Sequence, residues 1–464
     1  MVNVPDPRQG KCNGVAASES PITKTSKVAL LSRRRLSRFV GALERKFSPT
    51  RADVIRVASL VALITAIFGY AIRRNILIDD YPAHIQLAQD MASSKTTVAP
   101  HFLFQLLVIS VHGLIPCKQF TILGVAVSCF TASSFYLAGF AATLLSYLCL
   151  GIVIYALLRR EFGSLVSQNA SSAYVPVTLG LMLVSPISLF TLPTQSIYLG
   201  YIGINVYHNP TSTLLKPLAL LLFSCASKAF TLSRNSLTLV MASATLTVLA
   251  TLAKPSYTIC LLPALAILTT YHIWRKKMLD WRLLTLGILI PALIVLGWQY
   301  DVTYKNPILH DASSIVFAPF KVMSHYKTFA SEGYLGLFVR FVLSILFPVC
   351  VAALYFKVIG HDTKLFLAWL AFGVGAFYSY GLAESGARLL HGNFLWSGQI
   401  TLFILFLTST LIFMRQTLLP LGRNSWFQAG KGRLCVCAGV FGLHLISGLV
   451  WYAIMLGPQH RQWW

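Results

Sequence analysis

The segment IDDYPAHIQLAQD, Ile78 to Asp90, holds three of the chain's 14 acidic residues and follows directly on an apolar run. Asp79 and Asp80 are adjacent, and His84 comes shortly after; a carboxylate so placed can act as general base on a hydroxyl. Neighbouring carboxylates at a lipid–water boundary repel each other and are costly to desolvate, so at least one is expected to face a polar cavity. The competing role is structural: an Asp just before Tyr81-Pro82 is an N-terminal helix signal, capping a first turn that the proline enters. Partners of complementary chemistry lie far along the chain. IYLGYIGINVYHNPTSTLLKP brings Tyr207, His208, Asn209 and Lys216; TLAKPSY brings Lys254; GLAESGARLLHGNFLW brings Glu384, Arg388 and His391. With residues 385–390 helical, Glu384 and Arg388 fall one turn apart and can pair, as a structural ion pair or as part of a site. Lys216 and Lys254 can equally snorkel to lipid headgroups, and His101 and His112 read as interfacial residues.

What positions these groups follows from composition. Of 464 residues 56% are hydrophobic and 11% charged, with mean hydropathy +0.68. That is too few charges to clothe a water-soluble globule, and apolar runs long enough to cross roughly 30 Å of hydrocarbon recur throughout. The expected fold class is an all-α polytopic membrane protein. The net charge of +24 sits in short clusters between apolar runs rather than on one aromatic-studded face, which points to membrane topology and away from nucleic acid. The nine cysteines are scattered, with no CxxC or Cys/His spacing suited to zinc. No metal site is expected, although Asp79 and Asp80 could ligate a divalent ion through oxygen, and no cofactor is called for.

Residues 1–52 are polar and basic and are expected to form a largely disordered cytoplasmic tail, followed by a transmembrane domain over 53–458 and a short outer tail at 459–464. No cleaved signal peptide is visible, so the first span is expected to be an uncleaved anchor. Apolar runs at 55–72, 125–158, 173–191, 213–231, 236–253, 256–274, 283–300, 336–356, 365–382, 395–414 and 434–455 predict about eleven transmembrane helices. Residues 101–116 are too short to span comfortably and predict an outer interfacial helix, paired with another over 83–91. With the N-terminus cytoplasmic, nearly every basic cluster falls inside, Arg73 and Arg74 being the main exception. All the chemistry-bearing segments then share the outer face, placing an active site on the extracytoplasmic side of the cell inner membrane.

Carboxylates, cations and tyrosines at that depth suit transfer from a lipid-borne anionic donor to a hydroxylated acceptor, with Lys or Arg neutralising the leaving phosphate and aromatic rings meeting sugar faces. A first span, an acidic pair in the loop after it, interfacial helices and about eleven spans resemble the GT-C class of integral membrane glycosyltransferases. HNPT with KP, KPSY and ESGARLLHGNFLW are similar to outer-loop segments of bacterial polysaccharide-assembly or glycolipid-assembly members. The resemblance implies a polyprenyl-phosphate-linked sugar donor, a glycan or lipid-linked acceptor, membrane lipids as surroundings, and Asp79 or Asp80 as the catalytic carboxylate. It implies substrate-binding roles for the other outer-face polar residues, from His84 and Tyr207 to His391. Two departures stand against the resemblance: the chain is expected to lack a large soluble domain after GPQHRQWW, which bears on acceptor recognition, and its N-terminal tail is longer than a minimal architecture needs.

Two other readings stay open. A polysaccharide polymerase or ligase would move a whole lipid-linked oligosaccharide and lean on outer-loop arginines. A transporter or lipid flippase would show charged or broken mid-membrane helices and an internal repeat, and no such repeat is visible. The charge bias makes one direct prediction. In a cysteine-free background, Lys277→Cys and Asn424→Cys should resist a membrane-impermeant thiol reagent in intact cells while Asp311→Cys reacts; the opposite pattern would invert the topology.

Overall fold

The computed structural model describes residues 50–96, 99–115, 120–122, 125–127, 132–163, 170–231, 235–305, 313–325, 327–356, 362–418 and 431–457. The expected tail at 1–52 lies outside these except for residues 50–52, of which Arg51 and Ala52 already belong to the first helix; the expected outer tail at 459–464 and the positions Asp311 and Asn424 lie outside as well. Thr50 and Asp53 open the first helix reciprocally: Asp53 Oδ2 accepts from Thr50 N (3.1 Å) and Oγ1 (2.9 Å), while Thr50 Oγ1 accepts from Asp53 N (3.2 Å).

The helices are α1 (Arg51–Asn75), α2 (Tyr81–Ser94), α3 (Leu103–Gly113), α4 (Ala132–Phe162), α5 (Tyr174–Leu183), α6 (Pro210–Ala226), α7 (Leu237–Ala253) and α8 (Ser256–Trp274). They continue with α9 (Trp281–Lys305), which has π-helical turns at both Thr285–Leu289 and Asp301–Lys305. Then come α10 (Lys327–Leu354, kinked at Gly333), α11 (Thr363–Gly381), α12 (Leu395–Leu418) and α13 (Lys431–Met455). Among the described residues, eight helices are long and apolar enough to cross a membrane: α1, α4, α6 with its following turn, α8, α9, α10, α12 and α13. The protein is thus an all-α chain of polytopic membrane type. The sequence runs expected at 236–253 and 365–382 are the helices α7 and α11, which fall outside that group of eight. Residues 81–94 and 103–113 form the two expected short helices, packed on each other and on α4. At about 16 Å, α3 is far too short to span.

The strands are brief. β1 (Phe120–Ile122) pairs antiparallel with β2 (Val125–Val127), so the run at 125–158 begins as a strand and is described as helix from Ala132. β3 (Ile315–Phe317) pairs antiparallel with β4 (Leu382–Glu384), placing Ile315 opposite Glu384.

The run at 173–191 departs most from expectation. Helix α5 stops at Leu183, and residues 184–209 continue as mostly irregular, mostly buried chain threaded among helices. Non-helical backbone at membrane depth is tolerated only where protein satisfies its polar groups, and here the neighbours do so. Asn205 Nδ2 donates to the carbonyls of Leu181 (3.0 Å) and Val184 (2.9 Å). Ser185 N donates to His444 O, and Ile187 N to Leu343 O, both at 3.1 Å. Arg340, 1% exposed, donates from Nη1 to Ser196 O (2.7 Å) and Leu199 O (3.2 Å) while Glu332 grips its other nitrogens at 2.6 and 2.8 Å. Gly200 turns at φ 89°, and a Cβ there would sit 2.9 Å from Arg340 Cδ.

Helix α13 approaches the end of α5 so closely that a Cβ on Gly448 would overlap the Leu183 carbonyl, whereas Gly442 on the same helix has nothing within 4 Å. Gly448→Val should therefore lower stability by about 1–3 kcal/mol or more. Gly442→Ala should be neutral or gain about 0.5–1 kcal/mol. Thermal unfolding in nanodiscs checks both.

Candidate functional site

Asp80 occupies the N-cap position of α2, yet its φ/ψ of −82°/−13° is helical and its side chain makes no capping bond. Asp79 precedes it at φ 60°, turning the chain from α1 into α2. The Asp80 carboxylate points instead at the start of α6, where its Oδ2 accepts from Asn209 Nδ2 at 2.7 Å.

Asn209 is fixed from its other end. Its Oδ1 accepts from Ser212 N (2.9 Å), capping α6 ahead of Pro210, and from Thr211 Oγ1 (2.7 Å). The same oxygen accepts from Lys254 Nζ at 3.3 Å. Lys254 ends α7, is 7% exposed, and also reaches Ser212 Oγ (3.2 Å) and Thr211 Oγ1 (3.5 Å). Its ammonium lies 3.7 Å from the centroid of Trp396. Burial holds the Lys254 pKa down to about 7, against the opposing pull of Asp80. It forms no ion pair among the described residues; a carboxamide separates it from the carboxylate.

Two histidines complete this wall. Gln105 Nε2 on α3 donates to His84 Nδ1 (3.0 Å), leaving the proton of the neutral ring on Nε2, and the rings of His84 and His101 lie 6.4 Å apart. Both keep some exposed surface but are crowded by protein. Burial first, then Lys254, lowers His84 to about 4 against the pull of Asp80; burial, Lys254, His84 and Arg388 lower His101 to about 3. His208 packs its ring against Trp396 (5.7 Å) and Tyr198 (5.6 Å).

A second polar group is tied to the first through the segment carrying Asn393 and, three residues on, Trp396. Glu384, 3% exposed, takes Arg388 Nη2 at 3.1 Å and Tyr304 Oη at 2.7 Å on Oε1, and Asn393 Nδ2 at 2.5 Å on Oε2. A 3₁₀ turn, Gly386–His391, provides the spacing that lets Glu384 and Arg388 pair.

The structure thus gathers Asp80, His84, Asn209 and Lys254, borders them with His208, and sets Glu384 with Arg388 nearby. Three candidates stand apart. Tyr207 contributes only its carbonyl, which accepts from Tyr81 Oη (2.9 Å); its ring packs with Phe68 and Tyr452. Lys216 points into the bundle, donating to Asn205 Oδ1 at 2.5 Å beneath the Phe403 ring. His391 is exposed at the end of its turn. Sequence reading set His101 aside as interfacial and passed over Gln105, Tyr304, Asn393 and Trp396. Trp396 and Asn393 stood within a segment already singled out, whereas His101 looked like an ordinary boundary residue ahead of an apolar run. No group of three or more His, Cys, Asp or Glu side chains among the described residues is arranged to hold a metal ion.

Comparison with known proteins finds no matching family model and no matching curated protein.

Both histidines are neutral in the fold but take up protons near pH 6.5 once unfolded. The unfolded state therefore binds more protons as pH falls below about 6.5, and stability should drop toward pH 4. Melting temperature followed over that interval should fall less steeply for His101→Gln than for the parent chain; equal slopes would remove His101 from the acid response.

Proposed function

We propose that the protein is a glycosyltransferase that moves a sugar from a polyprenyl-phosphate-linked donor to a hydroxyl of a lipid-linked or glycan acceptor. The observation that carries this reading is the bridge Asp80–Asn209–Lys254: a carboxylate that declines its capping role, and a buried ammonium with no ion-pair partner among the described residues, held apart by one amide. That spacing leaves the carboxylate to serve one reactant and the ammonium the other.

In the reaction, Asp80 takes the proton of the acceptor hydroxyl as its oxygen bonds to the anomeric carbon. The bond from that carbon to the phosphate oxygen breaks, and polyprenyl phosphate leaves with the electron pair. Lys254 neutralises the phosphate charge, and a bound phosphate in turn keeps Lys254 protonated near neutral pH. The exposed part of Trp396 offers an aromatic face to a sugar. Neutral His84 and His101, with Glu384, Arg388 and Asn393, supply hydrogen bonds to hydroxyls. Asp79 serves by turning the chain so that Asp80 leaves the helix end. We place this chemistry on the outer face of the cell inner membrane, with the N-terminus cytoplasmic, because that orientation puts most basic clusters inside.

Asp80→Asn should lose about 10²- to 10⁴-fold in transfer rate with an unchanged melting temperature, and Asp79→Asn should lose far less. Mass spectrometry of lipid-linked glycans from cells carrying Asp80→Asn should show an acceptor lacking one sugar. Accumulated complete repeat units would instead mark a polymerase or ligase, and full activity in Asp80→Asn would end the glycosyl-transfer reading.

A further inference from the structure

The end of the bundle opposite the Asp80 cluster carries a charge imbalance of its own. Helix α6 bears Asn209 at its start and Lys228 in the 3₁₀ turn just past its end, Ser227–Phe230, about 25 Å further along. Helix α11 packs on this turn, and α4 runs beside α6. The end of α4 is tied to the start of α11 and to the end of α12: Glu161 pairs with Lys364 Nζ at 3.5 Å and with Arg415, and Asp362 lies 3.8 Å from Arg415 Nη1.

The acids here are already occupied. Glu161 serves one cation on each oxygen, and Asp362 divides between Arg415 and the N–H groups of Lys364 and Leu365, which it caps at 3.0 Å. Asp280, whose N–H donates to Ala229 O at 2.9 Å, gives its carboxylate to Asn235 and Leu283. The connecting sequences 163–173, 227–236, 355–361 and 419–430 contain no Asp or Glu and add Arg234, Lys357 and Arg423. Arg160 and Lys228 thus have no ion-pair partner among the described residues, while Arg160 and Lys364 are cations whose charges act on Lys228. Like charges gathered in this way repel, and an anion from outside the chain relieves the repulsion.

The shape of α4 identifies the source of that anion. Leu145, Cys149, Ile152, Ala156 and Arg160 are all exposed, and spacings of four, three, four and four residues set them on one face of the helix. The face is apolar until its last member and runs about 22 Å, longer than the roughly 15 Å of hydrocarbon in one leaflet. A free phosphate makes no use of such a face. A phospholipid uses all of it, with acyl chains against α4 and a charged head at Arg160.

We propose that the end of α4 and the turn after α6 bind an anionic phospholipid, its acyl chain along α4 and its phosphate between Arg160 and Lys228, with Lys364 at the margin. Arg160 offers the phosphate a two-pronged fork and Lys228 a point charge. Native mass spectrometry of the full chain, released from detergent with phosphatidylglycerol and phosphatidylcholine of identical acyl chains, reads the preference. The parent protein should hold phosphatidylglycerol about 25-fold more tightly, each basic residue near the headgroups contributing about fivefold. Arg160→Gln with Lys228→Gln should abolish the preference, whereas Arg160→Lys with Lys228→Arg should keep most of it. Arg275→Gln with Arg282→Gln removes the same charge from the connection between α8 and α9 and should leave the preference unchanged.

A phosphatidylglycerol carrying a diazirine in its acyl chain should also mark α4 between Leu145 and Ala156 when the parent protein is irradiated in nanodiscs. Equal retention of phosphatidylcholine would overturn the proposal. So would an equal loss of preference in the Arg275 and Arg282 variant, which would reduce the cluster to the summed charge of the protein, or a loss in the charge-keeping pair. Displacement of phosphatidylglycerol by inorganic phosphate, or the absence of a mark on α4, would make this a site for a free anion and remove the lipid as its ligand.

Discussion

A carboxamide has one accepting and one donating end, and Asn209 applies them to opposite charges. Its nitrogen donates to Asp80 while its oxygen gathers the α6 amide of Ser212, the Thr211 hydroxyl and the Lys254 ammonium. Reversing the amide would set an NH₂ group against three donors, so the surroundings fix its orientation. With the two charges held apart, neither is consumed by the other. A direct Asp80–Lys254 ion pair would be a more ordinary arrangement of the same residues, and a less useful one.

The amide is held in place by chain that is not itself helical. Residues 184–209 arrive at Asn209 through a mostly buried irregular path, and that path persists because side chains from α10 and α13 meet its backbone groups. Arg340 is the largest of these supports. Its guanidinium is buried with Glu332 beside it and spends Nη1 on two carbonyls, so the ion pair is locked into the fold rather than left at the surface. The cation–π contact of Arg340 with Tyr201 adds a further constraint at 4.9 Å. Rigid support of this kind keeps the Asp80–Asn209 distance from drifting, and positional precision is what the general-base role proposed for Asp80 would require.

Much of the architecture was legible in the sequence, because long apolar runs leave little choice in a membrane: α1, α4, α8 and α13 fall close to the expected runs. The failures have physical causes. Residues 184–191 are as apolar as a helix, but Pro186 and Pro193 deny helical hydrogen bonds, and only the folded neighbours reveal where the backbone groups go. Asp80, Asn209 and Lys254 were singled out by residue type near span ends, yet nothing in one sequence says that Asn209 stands between the other two. Tyr207 and Lys216 share a segment and a chemistry with Asn209 and still turn into the core. His101 was read as merely interfacial because its partners are 17 and 153 residues away, at His84 and Lys254.

The cluster draws on α2, the start of α6, the end of α7 and the first turns of α12, which places its members early, midway and late in the order of synthesis. A chain threaded into the membrane only as far as α7 would hold Asp80, Asn209 and Lys254 but not Trp396 over the ammonium, nor the Glu384 pair beside His101. On the proposed function, competence to react with lipid is therefore a property of the nearly finished chain. Half-inserted intermediates, though already surrounded by membrane lipids, lack the walls of the cluster, so on that proposal biogenesis itself acts as the safety catch.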